Sequence, residues 1–333
     1  MTDSADGNGE CKKRPKTDYR ILSFDGGGIR GILSTVILEQ LNVHLDLPPD
    51  SRDWIEQADL IAGTSVGGMA AIGLAHGLTP TELRNLFYNR GPIMFEDSLF
   101  DDIRNVGRLF GAEFSTKNRR EVLDDVLQDT LLKDLRQKVL IPTFDLHDPK
   151  TGRWQAKFFH NFVAEEGKKP NTDRERRASD VALYTSAAPT YFPSAGGYVD
   201  GGLVANNPAM AALAQTQDMN YRGWREGFEG IVLLSIGTGI PRNYVEGDER
   251  DWGYVQWGKH LATAVDDGLI GVTDYQCKQL LRGEYRRVDC PFPPGENVGV
   301  EEYEKRDYLV EIGETGMHNE LHEAARWIEG HWL

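Results

Sequence analysis

The clearest pattern along the chain is an apolar run that stops abruptly at glycine. Tyr19–Phe24 (Y-R-I-L-S-F) reads as a strand, followed at once by Asp25-Gly26-Gly27-Gly28-Ile29-Arg30-Gly31 and an amphipathic helix over roughly 31–45. The same design then repeats. Residues 58–62 (A-D-L-I-A) read as a buried strand, Gly63-Thr64-Ser65-Val66-Gly67 as a tight turn and 68–76 as a helix of small residues, with another helix starting after Thr79-Pro80. Two successive units of strand, glycine turn and helix predict parallel strands joined by right-handed crossovers. Further strands are expected at 139–145, 155–159 and 231–236, and helices near 176–187, 207–218, 252–270 and 313–330.

Two windows lack charge altogether: 22 residues over 60–81 and 19 over 181–199. Length alone would nominate each as a membrane span. Their content excludes it, because the first contains Gly63, Gly67, Gly68, Gly73, His76 and Pro80, and the second Pro189, Pro193, Gly196 and Gly197. Both read as buried segments with turns in them. The polar run 165–177 is the most loop-like insert, and no repeat or low-complexity linker divides the body. One enlarged α/β domain over 19–245 is therefore expected, with 246–333 as a C-terminal helical extension packed on the same domain. Residues 1–18 carry eight charges, with only Met1, Ala5 and Cys11 apolar. Such a stretch cannot form the hydrophobic centre of a secretory signal and reads as a disordered leader.

Charge narrows the partners. With 37 Lys and Arg against 52 Asp and Glu, the net charge of −15 argues against nucleic acid, whose binding rests on cations neutralising phosphates. It gives no general pull toward anionic lipid either, and Lys12, Lys13, Arg14 and Lys16 read as a solvated tail. The three cysteines, Cys11, Cys277 and Cys290, are far apart and form no C-x-x-C pair, so neither a disulfide framework nor a zinc site is indicated. A reducing, cytoplasmic location is expected.

Chemistry concentrates at the glycine turns. Gly63-Thr64-Ser65-Val66-Gly67 is a G-x-S-x-G turn in the strand–turn–helix setting that such a motif requires. Gly63 and Gly67 would relieve crowding at the bend, and the helix N-terminus behind Ser65 would favour developing negative charge. The loop 26–31 matches G-x-G-x-x-G and supports two functions. As a dinucleotide fingerprint it needs an acid at the end of the next strand, and Asp46 and Asp50 lie instead beside Leu47-Pro48-Pro49, ahead of that strand. As an oxyanion hole it would offer the N–H groups of Gly27 and Gly28, with Arg30 adding positive charge.

A serine also needs a base. None of the eight histidines sits in a glycine-rich or turn-rich setting, and His318 and His322, spaced i, i+4, lack the H-E-x-x-H pattern and read as a solvated helix face. Asp200 is the better candidate. It ends the second charge-free window and opens Asp200-Gly201-Gly202, followed by Asn206-Asn207-Pro208, so desolvation would raise its pKa and make it a more effective base. The competing reading is an Asx-turn residue.

Taken together, D-G-G-G-I-R-G at 25–31, G-T-S-V-G at 63–67 and D-G-G at 200–202 resemble the patatin-like phospholipase family of bacterial type. The likeness spans roughly 21–210, and Leu234-Ser235-Ile236-Gly237-Thr238-Gly239 is similar to a later strand and turn of that family. Beyond about residue 245 no diagnostic match is present. The resemblance implies a three-layer α/β/α fold with a mainly parallel central sheet. It also implies a Ser/Asp dyad, with Ser65 as nucleophile, Asp200 as base, and Gly26, Gly27, Gly28 and Arg30 as oxyanion hole. Gly63 and Gly67 would frame the nucleophile, and Gly201 and Gly202 would complete the base motif. The implied reaction is hydrolysis of carboxylic esters of acyl lipids, of phospholipase A or lysophospholipase type, through an acyl-serine and without metal or cofactor. The implied partners are a lipid or fatty-acyl ester and, transiently, a membrane surface. Some bacterial members are switched on by a small nucleotide signal, and nothing in these residues specifies such an activator.

Two other functions fit parts of the pattern. One is a Ser/His/Asp α/β-hydrolase esterase; the other is a non-catalytic nucleotide-binding protein using the loop 26–31. A further stripe, Phe95, Leu99, Ile103, Val106 and Phe110, follows one face of a helix, with Glu96, Asp97, Asp101, Asp102 and Arg104 filling the rest. It reads as core packing, or as a lid over 91–114 that gates acyl access.

Overall fold

A single sheet organises the computed structural model, which describes residues 19–95, 108–148, 150–189, 192–241 and 253–333. Its strands are β1 (Tyr19–Phe24), β2 (Leu60–Gly63), β3 (Lys138–Asp145), β4 (Gln155–His160), β5 (Tyr198–Asp200), β6 (Ile231–Ile236) and β7 (Tyr285–Val288). The order is β4-β3-β2-β1-β6-β7, parallel from β3 to β7, with β4 antiparallel at one edge and β5 pairing antiparallel with β3. Helices follow as α1 (Gly31–His44), α2 (Val66–His76), α3 (Pro80–Phe95), α4 (Arg108–Leu127), α5 (Ala178–Thr185), α6 (Gly202–Ala205), α7 (Ala209–Gln215), α8 (Tyr254–Leu281), α9 (Arg306–Thr315) and α10 (His318–His331).

Successive strand side chains point to opposite faces, so each apolar strand feeds two cores. Leu22, Phe24, Ile61, Val139, Ile141, Leu234 and Ile236 enter the larger one, with α1, α2, α3, α5, α9 and α10. Ile21, Leu60, Ala62, Leu140 and Leu233 enter the smaller one, closed by α7 and the C-terminal turn of α8. Strands covered on both faces read as continuous apolar runs, which is why the central ones were visible in the sequence. The outcome is the expected three-layer α/β/α sandwich.

Register explains how a short strand reaches the site. β4 pairs with Thr143 to Asp145 of β3 on one side, so β5, which pairs with the same residues, must use the other side. That is the side of β2, which pairs only with Lys138 to Leu140. Counting on from Ala62 opposite Leu140 brings Ser65 level with Thr143, the partner of Asp200. β5 thus meets the end of β2 head to head.

The C-terminal region departs from the expected pattern in two ways. It is more than a helical extension, since Tyr285–Val288 adds an edge strand parallel to β6. Its Arg286 and Arg287 make the stretch read as polar, yet Arg287 turns inward to a buried ion pair. The single helix expected near 313–330 is two, α9 and α10, separated at Gly316. Both pack on α1, and Trp332 donates from Nε1 to the Trp54 carbonyl at 2.8 Å, closing this region onto the first unit. Cys277 and Cys290 are buried free thiols. Among the described residues, no helix is long and apolar enough to cross a membrane. The leader 1–18 and residues 96–107, with Leu99, Ile103 and Val106 of the apolar stripe, lie outside the described residues, as does the side chain of Phe110; Phe95 is buried against Phe87.

Candidate active site

Ser65 stands where β2 gives way to α2. Its backbone has φ 56° and ψ −124°, a conformation that L-residues rarely adopt and that costs about 1–3 kcal/mol. Close packing holds the bend. A Cβ on Gly63 would run into the Gly67 carbonyl, and one on Gly67 would lie 2.5 Å from the Asp25 carbonyl oxygen. The Ser65 N–H donates to Thr185 Oγ1 at 3.0 Å, which ties the strained residue to α5.

Ser65 Oγ donates to Asp200 Oδ2 at 2.6 Å. The other carboxylate oxygen, Oδ1, accepts the Gly202 N–H at 2.7 Å, so the D-G-G turn orients the acid as well as ending β5. The Asx-turn contact is therefore present, and the same carboxylate faces Ser65 with its other oxygen. Asp200 is 6% exposed, and burial pushes its pKa up to about 6. The Ser65 and Gly202 hydrogen bonds and the Arg119 charge hold it down, while Asp266 of α8 pushes it up. Among the described residues no histidine hydrogen-bonds to Ser65 or Asp200. His160 is buried, has its pKa lowered to about 4 and sits with Asn171, on the far side of β3 from β5.

The loop 26–31 packs directly on Ser65, since a Cβ on Gly26 would lie 3.3 Å from Ser65 Cβ. Its members have different parts. The Gly26 N–H is already taken by the Asn206 carbonyl at 2.9 Å, and the Gly26 carbonyl accepts from Thr238 Oγ1 at 2.9 Å. Gly26 is therefore an anchor rather than a free donor. The N–H groups of Gly27 and Gly28 find no acceptor among the described residues. Arg30 is half-buried; its Nε donates to the Gly27 carbonyl at 3.4 Å and its Nη1 approaches the Gly239 carbonyl at 3.5 Å. Burial lowers its pKa, and Asp289, Asp267, Asp266 and Asp25 oppose that shift. Arg30 thus braces the loop's own backbone, and its charge is already faced by carboxylates. It also lines a cavity of about 520 Å³ with Asp25, Asn206, Thr238, Asp266 and Asp289, which neither Ser65 nor Asp200 lines.

Several residues that hold the site were not visible as site residues in the sequence. Thr185 lies inside the second charge-free window, and only its position beside the bend reveals its part. Thr238 belongs to the L-S-I-G-T-G run. Arg287 donates to Asp25 at 2.6 and 3.3 Å and to Asp289 at 2.6 Å, fixing the start of the glycine loop from the neighbouring edge strand.

A three-layer α/β fold that raises a serine on a strained bend, opposite a buried carboxylate and beside a loop whose Gly27 and Gly28 amides find no acceptor among the described residues, has the architecture of a serine hydrolase. The chain belongs to the patatin-like phospholipase family, whose sequence model matches residues 22–213. It is 31% identical over 309 residues to the cGAMP-activated phospholipase of Pseudomonas aeruginosa, covering 89% of this chain and 84% of that one. It is 30% identical over 252 residues to Protein teg of Priestia megaterium (75% and 73% covered) and 29% identical over 349 residues to Patatin-like protein 3 of Arabidopsis thaliana (89% and 79%).

Proposed function

We propose that the protein is a lipid acyl hydrolase in which Ser65 is the nucleophile and Asp200 the base. The observation that carries this reading is the 2.6 Å hydrogen bond from a serine on a strained bend to a buried carboxylate. With a pKa near 6, Asp200 is ionised at neutral pH and remains basic enough to take the serine proton. Ser65 Oγ attacks the ester carbonyl as its proton passes to Asp200, and the N–H groups of Gly27 and Gly28 receive the oxyanion. The tetrahedral intermediate collapses, the departing alcohol takes the proton from Asp200, and an acyl-serine is left. Water then gives a proton to Asp200 and attacks the acyl carbon; Ser65 Oγ leaves with that proton and the carboxylic acid is released.

The reading includes substrate taken from a lipid surface. Leu203 of α6 and Trp257, Leu261 and Val265 of the adjoining α8 are exposed and supply apolar contact without basic charge. It also includes a cytoplasmic location, which the free thiols of Cys277 and Cys290 support. The test is mass-spectrometric detection of free fatty acid from vesicles of a mixed lipid extract, with and without a cyclic dinucleotide, for wild type and Ser65→Ala. Wild type should release fatty acid in at least one condition, and Ser65→Ala should lose all but a residue, a drop on the order of 10⁶ in kcat. Equal release by both proteins would overturn the assignment, and a single His→Ala variant as inactive as Ser65→Ala would favour a histidine-based esterase.

A further inference from the structure

The tripeptide Thr185-Ser186-Ala187, at the C-terminal end of α5, touches both halves of the site. The Thr185 hydroxyl accepts the Ser65 N–H at 3.0 Å and donates to the Pro142 carbonyl at 2.6 Å. The Thr185 carbonyl accepts the N–H of Gly201 at 3.1 Å, and the Ala187 carbonyl accepts that of Asp200 at 2.9 Å. One short segment therefore sets the spacing of two residues that lie 135 positions apart in the chain.

That segment is gripped by a residue the catalytic reading has not used. Arg119 of α4 donates from Nη2 to the carbonyl oxygen and to the hydroxyl of Ser186, both at 2.7 Å. It is 2% exposed, and its guanidinium carbon lies 3.9 Å from the centre of the Phe192 ring. Its Nε has no hydrogen-bond partner among the described residues. A cation this deeply buried is unfavourable unless an opposite charge or strong hydrogen bonds compensate it. The carboxylate whose charge reaches it is Asp200.

We propose that Arg119 is a positioning residue for the Ser65–Asp200 pair: through its two hydrogen bonds to Ser186 it holds the segment 185–187 that spaces the two, and it places a buried guanidinium behind them. The inference rests on the roles assigned to Ser65 and Asp200 above. Four groups act on the Asp200 charge. Arg119 from α4, the Ser65 hydroxyl at the start of α2 and the Gly202 N–H of α6 favour the ionised form, whereas Asp266 from α8 opposes it. Removing Arg119 takes away the cation of that set.

The test compares kcat/KM against pH on a soluble p-nitrophenyl ester for wild type, Arg119→Met and Arg119→Lys, with thermal melts to confirm folding. In Arg119→Met the acid limb should move up in pH, the direction that loss of an opposite charge gives. Arg119→Lys keeps the charge and loses the planar fork, so its limb should stay near that of wild type while kcat falls at every pH. A role limited to packing would lower activity without moving the limb. If Arg119→Met does not fold, Arg119→Gln, which retains a donor toward Ser186, reads the same shift. An acid limb in Arg119→Met or Arg119→Gln that coincides with wild type overturns the inference. Full activity in Ser65→Ala would instead overturn the reading on which it rests, so the two failures are distinguishable.

Discussion

Two buried aspartates stand at strand ends in this protein, each opening a run of glycines, and they differ in what faces them. Asp25 follows β1 and is 1% exposed; Asp200 ends β5 and is 6% exposed. Burial pushes the pKa of both from an ordinary value near 3.8 up to about 6. Asp25 is held in contact with Arg287, which also pairs with Asp289 and donates to Ser235 Oγ at 3.0 Å. Asp200 faces a hydroxyl and a backbone amide, and its cation, Arg119, is engaged with Ser186 instead. Burial of a carboxylate is therefore not enough to identify a base. A contact ion pair locks the charge in place, whereas a hydroxyl at 2.6 Å offers a proton that can move.

The largest effect should come from neutralising each acid in turn. Asp200→Asn keeps an oxygen for the Gly202 N–H but cannot take a proton, so kcat should fall by about 10²–10⁴ with no loss of stability. Asp25→Asn removes one partner of a buried ion pair and should cost about 3 kcal/mol of stability, the low end of the usual range because Asp289 still pairs with Arg287. Its folded fraction should turn over within about tenfold of wild type. Paired denaturant titrations and kcat measurements separate the two outcomes. Asp25→Asn losing turnover at unchanged stability, with Asp200→Asn active, would reverse the assignment.

A smaller effect distinguishes the glycines beside Asp200. A Cβ on Gly201 would strike the Pro142 carbonyl, which is backbone in β3 and cannot yield easily, whereas one on Gly202 would sit 3.3 Å from Asp200 Oδ1. Gly201→Ala should cost about 1–3 kcal/mol, as overpacking does, together with most of the turnover. Gly202→Ala should stay within about tenfold of wild-type kcat. Equal behaviour of the two would mean that the turn tolerates displacement and does not set the position of the base.

The glycine motifs and the parallel core were legible in the sequence because both are local. G-x-S-x-G and D-G-G record close approaches within a few residues, and β1, β2 and β6 record double-sided burial as apolar runs. What the sequence hid depends on approach between distant segments. β5 is three residues long, too short for a period, and β7 carries two arginines because one of them serves Asp25. Thr185 and Arg119 have no motif; each matters only because α5 and α4 end up behind the bend. The loop 26–31 shows the same limit from the other direction. Its spacing does not tell its members apart, whereas in the fold the Gly26 N–H and the Arg30 side chain bond to nearby carbonyls and the N–H groups of Gly27 and Gly28 find no acceptor among the described residues.

The pH dependence gives the subtlest test of the comparison, because activity and stability should move in opposite directions. Asp200 must be ionised to accept the serine proton, so kcat/KM should rise with pH through about 6 and level off above it. Stability runs the other way. As pH rises from about 4, the unfolded chain releases these carboxyl protons first, while the native state holds them until about 6. The native state then binds more protons, so the contribution of both aspartates to stability is present below about pH 4 and is lost as pH rises through about 6. Other groups titrate in the same window, and the wild type alone cannot isolate the term. The difference between wild type and Asp200→Asn can, because the amide does not titrate. Across pH 4 to 6 the Asp200→Asn variant should gain stability relative to wild type, by at most about 1.4 kcal/mol per pH unit, whereas Asp25→Asn adds the unpairing of Arg287 to the same slope. A difference that stays flat for Asp200→Asn would mean that Asp200 titrates at its ordinary value. The hydroxyl would then face an untuned carboxylate, and the distinction between the two aspartates would rest on geometry alone.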